Sequence, residues 1–198
     1  MIRWLFKKKF YTELIGLLVW LEAFGILSIL LAAIVLQYYL HEIPCPLCLL
    51  QRIGMLMITV ALFFNLKIER KVVHYMLANL AALLTAMMAL RQISLHINDP
   101  MGQGYGDVLL GYHLYTWVFI LSVLIIIYNS FIACFFKQFI HKPLYYQGKS
   151  GRYMVLGLII LLVLIAVLNA FGVYLECGLS QCPDNPTTYK ILTLIHRS

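Results

Sequence analysis

The 198-residue chain has five cysteines. Four fall into two close pairs, Cys45 with Cys48 and Cys177 with Cys182, and Cys134 stands apart. In an oxidising compartment such pairs form disulfides. The first pair lies in the run Ile43, Pro44, Cys45, Pro46, Leu47, Cys48, Leu49, Leu50, Gln51, Arg52. Proline suits the first position of a helix, where its missing N–H would have had no partner. The run therefore predicts a helix that opens at Pro46, with Cys45 near the N-cap and Cys48 about one turn in. Free backbone N–H groups and the positive end of the helix dipole favour a thiolate there. A thiolate attacks disulfides and donates electrons.

Positions 45, 48 and 52 are related as i, i+3 and i+7, so both sulfurs and the Arg52 guanidinium share one helix face. Arg52 alone reads as a side chain reaching for lipid phosphate. Beside two cysteines it reads as the cation that polarises a small buried acceptor, and a quinone carbonyl is such an acceptor. Gln51 could donate a hydrogen bond to the same ligand or simply line a polar gap between helices. A zinc site would need four ligands kept reduced, so no metal is expected. A structural bridge is the other reading of the pair, but one closing so few residues constrains the unfolded chain little.

The elements that position these residues follow from composition. The chain is 63% hydrophobic and 12% charged, with a mean hydropathy of +0.88. Soluble domains carry about 25% charged residues, so a soluble enzyme is excluded. Five apolar segments approach the roughly 20 residues that cross a bilayer: Leu14 to Leu40, Pro46 to Leu66, Val72 to Ile97, Val108 to Phe136, and Tyr153 to Leu175. The expected class is an all-α membrane protein, a four-helix transmembrane bundle with a fifth, C-terminal span. The chain divides into a basic N-terminus (1–13), the bundle (14–136), a basic loop (137–152), the fifth span (153–175) and a cysteine-containing tail (176–198).

The formal net charge of +7 gathers in three clusters: Arg3 with Lys7 to Lys9; Lys67, Arg70 and Lys71; and Lys137, Lys142, Lys149 and Arg152. A nucleic-acid face would gather them on one folded surface, so no nucleic-acid partner is expected. Alternating spans put all three clusters on one side, which the positive-inside rule makes cytoplasmic. Gln37 to Cys45 and Asn98 to His113, on the other side, contain no Lys or Arg. Both cysteine pairs then face the outer compartment, the C-terminus lies there too, and Cys134 is left near the cytoplasmic face.

Other polar residues fall in or near the spans. Arg91, Gln92 and His96 lie on the outer part of span three, at a depth similar to Arg52. Arg91 and His96 are candidates for an acceptor site, with helix packing and an interfacial histidine as the plain alternatives. Glu22, in the inner half of span one, is assigned to helix packing. Gly111, Tyr112, His113, Tyr115 and Trp117 form an interfacial aromatic belt, from which His113 could reach the cysteines. Asn98 to His113, with Asp99, Pro100 and several glycines, is expected to be an irregular loop. After a turn at Pro183 to Pro186, Tyr189 to Ile195 reads as a short surface helix or a frayed end.

The run from Pro44 through Cys48, followed by Gln51 and Arg52 at the outer start of a second span, resembles the disulfide bond formation protein B (DsbB) family of bacterial inner-membrane proteins. The resemblance covers roughly spans one to four. It implies a four-helix bundle that reoxidises a periplasmic DsbA-like thiol oxidase and passes two electrons to the membrane pool of ubiquinone or menaquinone. It also implies roles: Cys45 as the interchange thiol exposed to the periplasm, Cys48 as the thiolate that contacts the quinone, and Arg52 as the polarising cation. One departure stands out. The family's second cysteine pair lies between the third and fourth helices, where this chain has none; Cys177 and Cys182 follow an extra span instead. They could replace the missing pair if spans two and five pack together, or form a closed staple on the tail. A vitamin K epoxide reductase-like enzyme fits the early cysteine pair and the following Gln-Arg less well. A non-enzymatic membrane protein with structural disulfides predicts no redox partner.

Overall fold

The computed structural model describes residues 2–39, 43–97, 108–135, 149–178, 180, 182 and 189–191, with side chains from residue 13 onward except Ser150. The side chains of Arg3 and Lys7 to Lys9, the stretch 98–107 of the outer loop, Lys137, Lys142 and the turn at Pro183 to Pro186 lie outside these residues. Of the expected surface helix, 189–191 are described, and Lys190 and Ile191 are helical.

Among the described residues, five long helices carry the fold: α1 (Ile2–Tyr39), α2 (Pro46–Lys67), α3 (Val72–His96), α4 (Leu114–Ala133) and α5 (Lys149–Cys177). Each is long and apolar enough to cross a membrane, and the chain is a multi-pass membrane protein. A two-stranded hairpin, β1 (Val108–Leu109) and β2 (Tyr112–His113), precedes α4. Span four was expected to run from Val108, but the helix begins at Leu114. Leu110 and Gly111 both take positive φ, 53° and 85°, the geometry of a tight hairpin turn that glycine permits. Trp117 Nε1 donates to the Leu109 carbonyl at 2.9 Å, which ties the hairpin to the first turn of α4.

Helix α2 packs on α3, α3 on α4, and α1 on α2, while α5 lies against α1 and α2. Leu27, Ile58, Leu62, Ala78 and Ala82 are fully buried at the centre. Large apolar side chains such as Met87, Leu83 and Ile160 stay exposed, as expected where lipid rather than water covers the outer surface. Close approach of α2 and α3 depends on Gly54. A Cβ there would stand 3.2 Å from Thr85 Cβ and nearer still to the Thr85 hydroxyl, which is itself bonded to the Ala81 carbonyl.

The α2–α3 connection is held by Asn65, a fully buried residue. Its Oδ1 accepts from the Lys71 backbone N–H at 3.2 Å and lies 3.1 Å from His74 Nδ1. Burial pushes the pKa of the neighbouring Arg70 guanidinium down from its ordinary value. At mid-bundle, Asn129 Nδ2 of α4 donates to Glu22 Oε1 at 2.9 Å. Glu22 thus joins α1 to α4, the packing role its position suggested. Exposed Cys134 caps the C-terminus of α4. Twenty helical residues separate it from His113, roughly 30 Å of rise.

Candidate active site

The N-terminus of α2 is built as its sequence implies. Pro46 opens the helix, and Cys45 is the N-cap, with extended backbone (φ −72°, ψ 158°). Its Sγ accepts from the Cys48 backbone N–H at 3.1 Å. Cys45 and Cys48 are joined as a disulfide with Cα atoms 5.0 Å apart. Both sulfurs therefore sit among the free N–H groups of the first turn, where a thiolate released by reduction is stabilised.

The residue that addresses both sulfurs is Gln92 of α3. Gln51 Nε2 donates to Gln92 Oε1 at 2.7 Å, which turns the Gln92 amide nitrogen the other way, toward the disulfide. Gln92 Nε2 lies 3.1 Å from Cys45 Sγ and 3.4 Å from Cys48 Sγ. Gln51 and Gln92 are 3% and 1% exposed, so water does not compete for these bonds. A donor aimed at a sulfur favours its anionic form. Gln51 thus acts on the cysteines through Gln92 as well as lining the adjoining cavity.

That cavity has a volume of about 110 Å³ and lies between α1, α2 and α4. Cys48, Gln51, Arg52, Gln37 and Tyr115 supply its polar groups, and Leu30, Met55 and Val118 part of its apolar wall. At 10–15 Å³ of such volume per water-sized group, it holds on the order of ten heavy atoms, the size of one six-membered ring with two carbonyl oxygens. Arg52 is fixed from α1: Nη1 donates to Gln37 Oε1 at 2.6 Å and Nη2 to the Ala33 carbonyl at 3.3 Å. An apolar slot bordered by Cys48 and by a held guanidinium suits a small, flat acceptor with an oxygen to polarise.

Three expectations change. Arg91 is exposed, one residue off the buried stripe Thr85, Ala89, Gln92, and is not part of this site. His96 is not a wall of the cavity; its ring stacks on Tyr115 at 5.7 Å, and His113 stacks on the same ring at 5.2 Å. Both histidines are thus one ring removed from it. Cys45 is 6% exposed, with Gln92 Nε2 3.1 Å from its sulfur, and is not the open interchange thiol that the resemblance implies.

Cys177 and Cys182 form a second disulfide, with Cα atoms 4.5 Å apart. Cys177 is the last residue of α5 and is 2% exposed; Cys182 is half-buried. Gly178 follows with φ +64° and donates its N–H to the Tyr174 carbonyl at 2.8 Å, a left-handed helix stop that glycine allows. Beyond the bridge, Gln37 Nε2 donates to the Tyr189 hydroxyl at 3.1 Å. The tail therefore reaches the glutamine that holds Arg52. Gln37, Gln92 and Glu176 carried no assigned role in the sequence. For Gln92 a signal existed, since it continues the small-residue stripe of α3; for Gln37 and Glu176 there was none short of the helix packing.

Residues 16–103 match the family described as Disulfide bond formation protein DsbB. The matched stretch contains α2, α3, Cys45, Cys48, Arg52 and Gln92. It ends before the hairpin, so α4, α5 and the second cysteine pair lie beyond it. No curated protein and no solved structure matches the chain.

Proposed function

We propose, on the premise that residues 16–103 belong to the DsbB family of disulfide-forming membrane oxidoreductases, that this chain is a thiol:quinone oxidoreductase of the bacterial inner membrane. It reoxidises a periplasmic DsbA-like thiol oxidase and uses ubiquinone or menaquinone from the membrane pool as acceptor. In this reading the N-terminus is cytoplasmic and the C-terminus periplasmic, which the distribution of basic residues supports. The observation that carries the reading is the Gln92 amide, buried and donating to both sulfurs of a helix-start disulfide that borders an apolar cavity held open beside Arg52.

The exposures suggest an order of events. Cys45 and Cys177 are nearly covered, whereas Cys182 is half-exposed. The partner's thiolate attacks Cys182 Sγ, breaking the Cys177–Cys182 bond and releasing Cys177 as a thiolate. The partner's second thiol resolves the mixed disulfide, leaves the partner oxidised and frees Cys182. One tail thiolate then attacks Cys45 Sγ, and Cys48 leaves as a thiolate stabilised by the helix start and Gln92. The other tail thiol closes the Cys177–Cys182 bond again and releases Cys45. Two electrons have then moved from the partner to the Cys45–Cys48 dithiol. The packing of α5 against α2 is the arrangement this transfer needs.

Cys48, Arg52, Gln51 and Tyr115 would hold the quinone, which when bound accepts two electrons and two protons. Arg52 stays charged and polarises an acceptor oxygen, and the two thiols lose the protons that balance the transfer. Thiol trapping of both pairs in membranes, with and without added quinone, tests the reading. It expects Cys45 and Cys48 to become oxidised only when quinone is present; oxidation indifferent to quinone would overturn it. Replacing Cys177 and Cys182 together separates relay from staple. The relay expects partner turnover to be lost while a small dithiol is still oxidised.

A further inference from the structure

Helix α5 brings one acidic residue into the bundle, Glu176, which directly precedes Cys177. It is 0% exposed, and neither carboxylate oxygen has a hydrogen-bond partner among the described residues. Glu22 of α1 differs in that one of its carboxylate oxygens accepts a bond from Asn129. A buried carboxylate without donors is costly unless an opposite charge compensates it. Helix α5 packs against α1 and α2, where Arg52 supplies such a charge. One turn before Glu176 on the same face of α5, a Cβ at Gly172 would stand 3.6 Å from Gln37 Nε2, and Gln37 accepts from Arg52.

The guanidinium is thus bounded on three sides. Gln37 and the Ala33 carbonyl take N–H groups from the α1 side, the cavity opens on a second, and the Glu176 carboxylate supplies the counter-charge from α5. Tyr189, beyond the Cys177–Cys182 bridge, braces Gln37 from the same direction. All of the α5 contribution lies outside the stretch that matches the family.

We propose that Glu176 is a positioning residue for Arg52: its buried carboxylate balances the guanidinium and keeps it turned to the acceptor cavity, so the fifth helix completes the quinone site. This rests on the reading of Arg52 as the quinone-polarising cation. Glu176 does not line the cavity, so it acts through Arg52 and not on the acceptor directly.

The test is equilibrium binding of a short-chain ubiquinone to the purified full-length protein in lipid nanodiscs, a measurement independent of turnover. Glu176→Gln is expected to raise the dissociation constant about tenfold, a coupling of about 1.4 kcal/mol. Glu176→Met, which removes the burial cost of a polar group and is the easier variant to fold, is expected to show the same loss. Glu176→Asp, which keeps the charge, is expected to retain most of the affinity. Because Glu176 acts through Arg52, adding Glu176→Gln to Arg52→Ala is expected to weaken binding no further. Wild-type affinity in both Glu176→Gln and Glu176→Met, or additive losses in the double variant, would overturn the proposal while leaving the Arg52 reading intact. Wild-type affinity in Arg52→Ala would overturn that reading and the proposal with it.

Discussion

The two disulfides are chemically identical and electrostatically opposite. Cys45 and Cys48 stand at the start of α2, with the helix dipole's positive end, the Cys48 N–H and the Gln92 amide all directed at sulfur. Cys177 is the last residue of α5, where backbone carbonyls face outward and disfavour an anion, and the buried Glu176 precedes it. Stabilising the thiolates of a reduced pair makes its disulfide the stronger oxidant. On the proposed relay the environments rank the pairs: electrons would run from the tail to the helix start, and the cavity lies beside the receiving pair. A donor pair and an acceptor pair can look alike in sequence, and what separates them here is which end of a helix holds the sulfur.

The sharpest way to break this contrast is to remove the receiving pair. Cys45→Ser or Cys48→Ser is expected to cut quinone-dependent oxidation of the partner by about a thousandfold or more, as loss of a covalent nucleophile does, read as partner redox state in a turnover assay. Next comes the donor to sulfur. Gln92→Leu removes that donor and is expected to slow alkylation of the reduced Cys48 at fixed pH by about tenfold, the worth of a hydrogen bond to a charged group, read by the rate of thiol trapping. The sign follows from what is lost: a donor that favours the anionic, nucleophilic form of the sulfur.

Smaller again is the helix contact that brings Gln92 to the sulfurs. Gly54→Ala is expected to cost about 1–3 kcal/mol of stability through overpacking against Thr85. Thermal denaturation checks it, and Thr85→Ala in the same chain is expected to recover part of the loss. The smallest change is expected from Arg91→Gln. An exposed side chain off the buried stripe should leave the KM for quinone within about twofold of wild type.

Much of the contrast was legible in sequence. Proline after Cys45 marked a helix start, the i, i+3, i+7 spacing put Arg52 with the sulfurs, and the run lengths marked five spans. The errors have physical causes. Arg91 was chosen by depth in the membrane, but membership of the site is set by helix face, and the buried stripe of small residues runs through Gln92 instead. Span four was begun at Val108 because Val108, Leu109 and Leu110 are apolar. Hydropathy does not register a turn with two positive-φ residues, so the hairpin went unseen. Glu176 and Gln37 escaped because their significance comes from α5 lying against α1 and α2, a contact between residues more than a hundred positions apart that no local pattern encodes.

The ranking of the two disulfides can be measured directly. Equilibrating the protein without quinone against thiol–disulfide buffers of graded potential, then trapping and weighing each cysteine pair, yields both reduction potentials in one experiment. The account expects Cys45–Cys48 to lie above Cys177–Cys182 by about 30 mV or more, a tenfold bias in the exchange. Equal potentials, or a higher one for Cys177–Cys182, would contradict it.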